Sequence, residues 1–383
     1  MSKKNLKNII GGVDTSRAPF VFWDGFGLSG THSGILTHAV ELHKELGVLG
    51  VDPMIVGETG LEYNFPRAEI RTIRRIFQSC GLTRIKLIWP YFVESLIDSL
   101  SYEKFHIVHG LSNFNVPLTR PKKCQKRILT VHDVIPLLDP KMVSTGYALQ
   151  FKLAISRALD VVDQIICVSN WTLESLVSFF PHAVDRCTVI YNGVRKERKN
   201  TAPKSHDKSI EILSIGRFER YKRIDFLIEI IRRLPRSYSL NLVTDHKGLL
   251  FCNRNAQDLI STEQLKLYTA LSKDQLDMLY GKSHIYLHPS LYEGFNIPAV
   301  EAAVNGLPVI FTKGLGTEEI IGSDLGISVD KNYGIDSWVD SVSFCAKHLE
   351  NRDWKLNANM ALKTLPTWQQ NAALTLKIYQ KIT

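Results

Sequence analysis

The sequence predicts an α/β protein of two domains. Short apolar runs alternate along the chain with stretches of helical periodicity, which is the pattern of parallel strands covered by helices. The chain has 383 residues, too many for one ordinary core and suited to two domains of ~150–200 residues each. Two such domains imply a cleft between them.

In the first half, five apolar runs predict strands, with helices between them. These runs are residues 20–23, 85–89, 106–109, 128–132 and 164–168. The stretch 195–208, RKERKNTAPKSHDK, is polar, contains one proline and lacks apolar periodicity, so it predicts the domain boundary.

A second alternation of strands and helices follows that boundary. The predicted strands are residues 210–215, 240–243, 285–287 and 307–311, and the predicted helices are residues 224–234, 273–280 and 298–304. The second half therefore repeats the α/β plan of the first.

The composition narrows the class of protein. The basic start MSKKNLKNIIGGV lacks the apolar stretch of a signal peptide, and no later run approaches the ~18 apolar residues of a membrane span. The six cysteines have no C-x-x-C spacing, which argues against a disulfide framework or structural zinc. We therefore expect a cytoplasmic globular protein.

The net charge of +9 is moderate, and two basic clusters in the first half carry part of it. The first cluster is Arg67, Arg71, Arg74, Arg75, Arg84 and Lys86, and the second is Arg120, Lys122, Lys123, Lys126 and Arg127. One interpretation is a solvated helix face and a basic loop. The other is a surface for anionic lipid or an anionic acceptor. Nucleic-acid binding is disfavoured because no recognition signature accompanies the charge.

The segment HPSLYEGFNIPAVEAAVNGLPVIF predicts a ligand-binding strand end. A strand leads into a turn that begins with Glu293, Pro298 opens a helix, and Gly306 closes it. Such a helix start suits a phosphate or sugar hydroxyls. Glu301, placed in the first turn, could accept hydrogen bonds from the diol of a ribose, or could be only an acid favoured by the helix dipole.

A second segment, SIGRFERYKRIDFLIEII, again predicts a strand, a loop and a helix. Gly216, Arg217 and Lys222 fall in the loop. Two cations beside a glycine suit a diphosphate, whose leaving group gains negative charge as a glycosidic bond breaks. The alternative is a solvated basic turn.

Together these segments resemble family 4 of the retaining glycosyltransferases, also called group 1, which have the GT-B fold. Glu293 and Glu301 have seven residues between them, as in the family's signature, and GRF with Lys222 matches its diphosphate loop. DGFGLSGTHSGILTHAVEL and TVHDVIPLLDP resemble its N-terminal glycine loop and His-Asp segment. TWQQNAALTLKIYQKI resembles its last helix.

The resemblance implies two Rossmann-like domains facing across a cleft. They would be an acceptor-side domain at 1–195 and a nucleotide-sugar domain at 208–366, with a helix in 367–383 crossing back to the N-terminal domain. It also implies roles for individual residues. The catalytic set would be His132, Arg217, Lys222 and Glu293. The donor-binding set would be Gly34, Gly216, Arg217, Lys222, Leu271, Glu293, Gly294, Phe295, Asn296, Ile297 and Glu301.

Within these sets the resemblance divides the donor among the residues. Arg217 and Lys222 would hold the diphosphate, Glu301 the ribose, and Glu293 with the backbone of 294–297 the sugar. Gly34 would approach the diphosphate from the other domain, and His132 would reach the sugar across the cleft unless it only caps a turn. Leu271 would touch the base through its backbone, or be plain core. Asp133 could simply cap the following turn and Ser169 could be only a helix cap, so neither is assigned to the site.

Three departures from the family pattern stand out. Most members have glycine where Arg223 and Asn296 stand here. Thr244 to Lys247 replace the glycine-rich turn that usually follows the second strand of the second domain, which leaves base recognition open.

The resemblance implies transfer of a hexose, with UDP-glucose the leading donor and GDP-mannose second, to a glycan or lipid-linked acceptor in bacterial polysaccharide assembly. No Asp-x-Asp motif occurs, so we expect no metal and no other cofactor. The enzyme could also associate with the inner face of the membrane. Two alternatives stay open: a nucleotide-sugar 2-epimerase of the same fold and a non-catalytic sugar-nucleotide-binding subunit.

Overall fold

The computed structural model describes residues 18–25, 28, 33–57, 70–72, 97–98, 105–113, 115–118, 122–195, 209–349 and 354–383. The chain divides into two compact units, one of residues 1–193 with 366–383 and the other of residues 194–365. We call them the N-terminal and C-terminal units. Each is built on one parallel sheet with helices, as the alternation in the sequence predicts.

The N-terminal unit contains a parallel sheet in the order β3-β2-β1-β4-β5-β6-β7. Its strands are β1 Val21–Asp24, β2 Met54–Gly57, β3 Ile70–Thr72, β4 Phe105–Gly110, β5 Cys124–Val131, β6 Gln164–Cys167 and β7 Cys187–Val189. Four of the five predicted strands are confirmed, and the fifth, at 85–89, lies outside the described residues. The central strands are almost fully buried, as expected for a sheet covered on both faces.

Serine or threonine caps begin most of the helices of this unit. Its helices are α1 Gly34–Val48, α2 Ile135–Leu138, α3 Thr145–Val161, α4 Asn170–Phe179 and, numbered in chain order after those of the C-terminal unit, α13 Trp368–Ile382. Ser33 caps α1, Ser144 caps α3, and Thr367 with Gln370 forms a capping box on α13.

Helix α13 returns to the N-terminal unit, as predicted. Its buried face, which includes Leu376 and Tyr379, packs into the same core as α1 and β1. Two hydrogen bonds add to the packing: Trp23 Nε1 donates to the Tyr379 hydroxyl (3.2 Å), and the Asn371 side chain donates to the Tyr191 carbonyl (2.8 Å). Apolar burial and buried polar contacts therefore both hold the last helix.

The C-terminal unit contains a parallel sheet in the order β10-β9-β8-β11-β12-β13. Its strands are β8 Ile210–Ile215, β9 Tyr238–Val243, β10 Leu265–Tyr268, β11 Ile285–His288, β12 Val309–Thr312 and β13 Gly326–Val329. The chain builds outward from β8 to β10 and then returns to pair β11 with the free side of β8. Strand order therefore reverses between β8 and β11.

The helices of the C-terminal unit fill the connections between these strands. They are α5 Ile224–Arg233, α6 His246–Asn255, α7 Gln257–Ser261, α8 Lys273–Lys282, α9 Ile297–Val304, α10 Glu318–Leu325, α11 Ile335–His348 and α12 Trp354–Thr364. The strand predicted to start at Leu307 starts at Val309 instead. The Leu307 N–H donates to the Ala302 carbonyl (3.0 Å) and closes α9, and Pro308 has no N–H for a ladder.

The second basic cluster differs from its prediction as a basic loop. Lys126 and Arg127 belong to strand β5. Arg127 is buried and donates to the Pro117 carbonyl (3.4 Å), and Lys126 lies 3.6 Å from the Asp163 carboxylate. These two charges therefore serve the unit's own packing. Arg120 and, apart from the backbone of Arg71, the whole first cluster lie outside the described residues.

In the part of the chain that the structure describes, no helix combines the length and the apolar character needed to cross a membrane.

Candidate active site

The candidate residues of the C-terminal unit meet at the reversal of strand order. The loop after β8 and the turn after β11 leave the carboxyl ends of neighbouring strands. In open α/β sheets, ligands bind outside these ends at such a switch point. Topology alone therefore places Lys222 and Glu293 at the expected ligand edge.

The loop after β8 is held tightly over the sheet. The Gly216 N–H donates to the Val243 carbonyl of β9 (3.0 Å), and a Cβ at Gly216 would lie 3.7 Å from the Lys222 side chain. A short 3₁₀ turn, Arg220–Lys222, then leads to Arg223, whose φ of 54° is left-handed. That conformation favours glycine, which most members of the family have at this position. A residue with a side chain, such as Arg223, therefore adopts it only with backbone strain.

Hydrogen bonds tie this loop to the turn after β11. The Tyr221 carbonyl accepts from the Leu291 N–H (2.8 Å) and from the Ser290 hydroxyl (3.1 Å). Glu293 is fixed from the other side, because its carbonyl accepts from the Gly316 N–H (3.1 Å). The two predicted segments thus form one connected site.

Glu293 lies at the centre of that site with two partners. Its Oε1 atom bonds to the Lys222 ammonium and accepts from His288 Nε2 (2.7 Å). Burial alone would raise the pKa of Glu293, but the Lys222 charge and the His288 hydrogen bond lower it to about 2. Glu293 is therefore ionised at neutral pH, and its charge is matched by Lys222.

The start of helix α9 faces the same edge. Asn296 is its N-cap, with a left-handed φ of 69°, and the side-chain oxygen accepts from the Ala299 N–H (3.3 Å). The Asn296 Nδ2 atom is buried and bonds to no atom among the described residues. Phe295 and Ile297 bury their side chains in the core, so they could meet a ligand only through their backbone.

Glu301 differs from its predicted place in the first turn of that helix. Because α9 begins at Ile297, Glu301 is its fifth residue and lies just beyond the first turn. Its carboxylate accepts from the Tyr280 hydroxyl of α8 (3.0 Å). Burial and the Glu301 charge raise the pKa of Tyr280 well above its ordinary value, which keeps this phenol a donor.

The remaining predicted donor-binding residues of the unit are Arg217, Leu271 and Gly294. Arg217 is exposed, and its side chain makes no hydrogen bond or ion pair with the described residues. Leu271 is half-buried between Ala270, whose φ is 49°, and Ser272, which caps α8. Gly294 is buried in the turn between Glu293 and the α9 cap.

The turn from Thr244 to Lys247 is held to the loop after β8. Asp245 Oδ1 accepts from the Gly248 N–H (3.0 Å), capping α6, and from the Phe218 N–H (3.2 Å). A Cβ at Gly248 would approach the Thr244 hydroxyl to 2.1 Å. The turn that stands in place of the glycine-rich turn therefore has a helix cap, Asp245, and is followed by Gly248, where a side chain would clash with Thr244.

His132 and Gly34 belong to the N-terminal unit. His132 follows β5, its N–H donates to Asn113 Oδ1 (2.7 Å), and its Nε2 lies 2.9 Å from the Leu111 carbonyl. Since a carbonyl only accepts, Nε2 carries the proton and Nδ1 is an acceptor. Burial lowers the pKa of His132 to about 4, so the ring is neutral at pH 7. Gly34 opens α1 and is exposed.

Asp133 and Ser169 both make local cap hydrogen bonds. Asp133 Oδ1 accepts from the Ile135 N–H (3.1 Å), and the Ser169 hydroxyl accepts from the Thr172 N–H at the start of α4 (3.0 Å).

The sequence reasoning missed the side chains that hold these residues in place. His288 ends a buried strand and bonds to Glu293, and Tyr280 bonds to Glu301. In the N-terminal unit, His38 packs 5.1 Å from the His132 ring and bonds to Asn192 (2.7 Å). A histidine at the end of an apolar strand, as at 288, was the one available signal.

Comparisons with known proteins identify the family of this chain. The model described as Glycosyltransferase Family 4 matches residues 32–198, and the model described as Glycosyl transferases group 1 matches residues 195–361. The chain therefore belongs to the family 4 glycosyltransferases, which have the GT-B fold.

Individual relatives are distant. The gpi3 subunit of phosphatidylinositol N-acetylglucosaminyltransferase from Schizosaccharomyces pombe is 26% identical over 91% of this chain and 78% of its own length. O-antigen chain mannosyltransferase B of Escherichia coli is 22% identical over 72% of this chain and 74% of its own length. The crystal structure of Anabaena HepE with UDP-glucose has a TM-score of 0.64 at 15% identity, covering 95% of this chain and 98% of HepE.

Proposed function

We propose that this chain is a retaining, metal-independent hexosyltransferase that uses a nucleotide diphosphate sugar. The acceptor would be a glycan or a lipid-linked glycan in bacterial polysaccharide assembly. The observation that carries the proposal is the meeting of Lys222, Glu293 and the start of α9 at the switch point of the C-terminal sheet.

The charges of the site support a diphosphate ligand. Lys222 is largely buried, and exposed Arg217 lies in the same loop. A cation with few water contacts stabilises phosphate oxygens more strongly than a solvated one. Both cations would neutralise the charge that grows on the nucleotide as it leaves.

The polar groups of the turn support the placement of the donor sugar. Ionised Glu293 can accept from sugar hydroxyls, and the buried Asn296 Nδ2 offers a donor. The backbone of residues 294–297 adds N–H groups at the helix start. Glu301, held by Tyr280, would accept from the two ribose hydroxyls.

The reaction we propose is a front-side substitution. The bond between the anomeric carbon and the β-phosphate oxygen breaks, and the electron pair leaves with the nucleoside diphosphate. The acceptor oxygen bonds to the same face of the anomeric carbon and gives its proton to the departing phosphate oxygen. The protein contributes electrostatic stabilisation of the oxocarbenium-like state and of the leaving group.

UDP-glucose is the leading donor in this proposal, and GDP-mannose is second. The HepE structure was solved with UDP-glucose, whereas the Escherichia coli relative is described as a mannosyltransferase. Leu271 would face the base through its backbone.

A panel of UDP- and GDP-sugars tests the proposal directly. Incubation with purified protein should release nucleoside diphosphate from a preferred donor and leave a sugar whose anomeric configuration, read by NMR before mutarotation, is retained. Inversion would contradict the front-side mechanism. Absence of hydrolysis and transfer with every donor would leave a non-catalytic binding subunit.

Chelation tests the metal-independent charge assignment. Since Lys222 and Arg217 supply the positive charge, activity should persist in excess EDTA. Complete loss of activity that magnesium or manganese restores would contradict the assignment.

We also propose that the first basic cluster brings the enzyme to membranes that carry lipid-linked acceptors. Binding to anionic liposomes should weaken with added salt. Liposome binding that is unchanged after Arg71, Arg74 and Arg75 are all replaced by glutamine would contradict this.

A further inference from the structure

One carboxylate oxygen in the C-terminal unit has two partners, and a bound diphosphate would compete with it for one of them. Glu293 Oε1 bonds to the Lys222 ammonium and to His288 Nε2. Under the proposed function, Lys222 must turn toward the diphosphate. Glu293 would then be a buried carboxylate without its cation, which is strongly unfavourable.

We infer that His288 is the positioning residue that keeps Glu293 in place and takes up a proton from solvent when Lys222 binds the donor diphosphate. The inference rests on the proposed function, because it needs a diphosphate that competes with Glu293 for Lys222. His288 itself touches neither the diphosphate nor the reacting atoms in this account.

The geometry suits His288 to this role. It ends β11 and is 4% exposed, and its ring stacks on the Tyr286 ring at 6.1 Å and 18°. A carboxylate only accepts, so the Nε2 atom of neutral His288 carries a proton and donates to Glu293. The Nδ1 atom is the nitrogen that can take a second proton.

Binding of the donor changes the net charge that acts on the His288 ring. At present the Lys222 ammonium opposes an imidazolium, the Glu293 carboxylate favours it, and the Tyr286 phenol is neutral. Burial, with the Lys222 charge, holds the pKa of His288 below its ordinary value. Once the diphosphate neutralises Lys222, only the carboxylate remains to act on the ring, and it favours protonation.

The step is balanced in charge. One proton passes from a solvent hydronium or a buffer acid to the Nδ1 lone pair, so an N–H bond forms as the acid's bond to that proton breaks, and no other covalent bond changes. The neutral pair of Lys222 and Glu293 is replaced by a neutral pair of protonated His288 and Glu293. By linkage, a ligand whose binding takes up a proton binds more tightly as the pH falls.

Calorimetric titration with UDP-glucose and GDP-mannose measures the proton directly. Both probes carry a fully ionised diphosphate, so they take up no proton themselves near neutral pH. The binding enthalpy in buffers of different ionisation enthalpy should show uptake of up to one proton per bound donor. His288→Gln, whose amide can still donate to Glu293, should bind the donor with no uptake. His348→Gln, which removes a half-buried histidine on α11, should keep the uptake.

Kinetics separate positioning from simple structural support. We expect His288→Gln to keep turnover within a factor of ~3, and His288→Phe, which cannot donate to Glu293, to lower it by roughly 10²-fold through misplacement of the carboxylate. Both variants should keep the wild-type Tm within a few degrees.

Donor binding without proton uptake in the wild type would overturn the inference and leave the proposed function intact. Equal uptake by His288→Gln would do the same. Absence of binding by every donor in the panel would overturn the proposed function, and this inference with it.

Discussion

Two buried polar clusters, one in each unit, handle charge in opposite ways. In the C-terminal unit Lys222, Glu293 and His288 form an ionised group in which the pKa of a buried carboxyl is lowered to about 2. In the N-terminal unit His38, His109 and His132 are neutral. Burial lowers the pKa of His109 to about 3 and that of His132 to about 4, and His38 shifts in the same direction. One cluster can thus meet a charged ligand, and the other can offer only neutral hydrogen bonds.

The neutral cluster is also the more extensive network. Trp23 Nε1 donates to the Tyr379 hydroxyl, which lies 2.7 Å from His109 Nδ1, and His109 Nε2 lies 2.8 Å from the Thr130 hydroxyl. This chain joins helix α13 to β1, β4 and β5. These four side chains bond to one another, whereas the ionised cluster keeps a cation that a ligand could bind.

The largest expected difference between the two clusters appears in acid. His109 and His132 titrate near 3 and 4 in the folded protein and at the ordinary 6.5 when unfolded, so the unfolded chain binds more protons below pH 6.5. The stability of the N-terminal unit therefore falls as pH falls, by roughly 2 kcal/mol for each of these histidines between about pH 7.5 and about pH 5. In the C-terminal unit, burial lowers the pKa of His288 in the same direction, and the contribution of Glu293 is lost only between its ordinary 4.5 and about 2.

Pulse proteolysis in urea, with peptides assigned to each unit by mass spectrometry, measures this difference. The N-terminal unit should lose much more of its unfolding free energy between the two pH values than the C-terminal unit does. Equal losses would contradict neutral burial of the histidines.

A smaller effect follows from removing one hydroxyl of the neutral network. Tyr379→Phe leaves Trp23 Nε1 and His109 Nδ1 without their shared partner, and should lower the free energy of unfolding of the N-terminal unit by about 1–3 kcal/mol. Tyr333→Phe, at a residue that is 61% exposed, is the matched control and should change little. Chemical denaturation of both variants tests this, and equal stabilities would show that the network adds nothing net.

The smallest effect concerns the backbone of the ionised cluster. Arg223 has a φ of 54°, and its guanidinium lies 3.6 Å from the Phe226 ring centroid. Both Arg223→Gly and Arg223→Ala remove that contact, but only glycine relieves the left-handed strain. We expect the glycine variant to be about 1 kcal/mol more stable than the alanine variant in thermal unfolding. An alanine variant as stable as the glycine variant would contradict the strain.

The same contrast shows what the sequence could reveal. Strands such as 210–215 follow from apolar runs, and the resemblance to the family implied that the two predicted loops belong to one site. The left-handed backbone of Arg223 and Asn296 was visible only as a departure from glycine. These features could be predicted because each depends on residues that are neighbours in the chain.

Contacts between distant residues were not predictable in the same way. The sequence predicted Arg127 in a basic loop, yet this residue lies buried in β5. The register of a strand decides which of its side chains face inward. His288 and Tyr280 became visible as partners of the two glutamates only when the fold placed them 2.7 and 3.0 Å away. The network around His109 joins residues 270 positions apart, which no local pattern encodes.

Steady-state kinetics on two variants test the central account of the donor site most directly. Charge on the leaving nucleotide grows in the transition state, so Lys222→Ala should lower the turnover number by roughly 10²-fold or more. The ribose charge does not change, so Glu301→Gln should act chiefly by raising the Michaelis constant for the donor when chemistry is slower than donor release. If Lys222→Ala changes only the Michaelis constant while Glu301→Gln abolishes turnover, the assignment of these two residues is wrong.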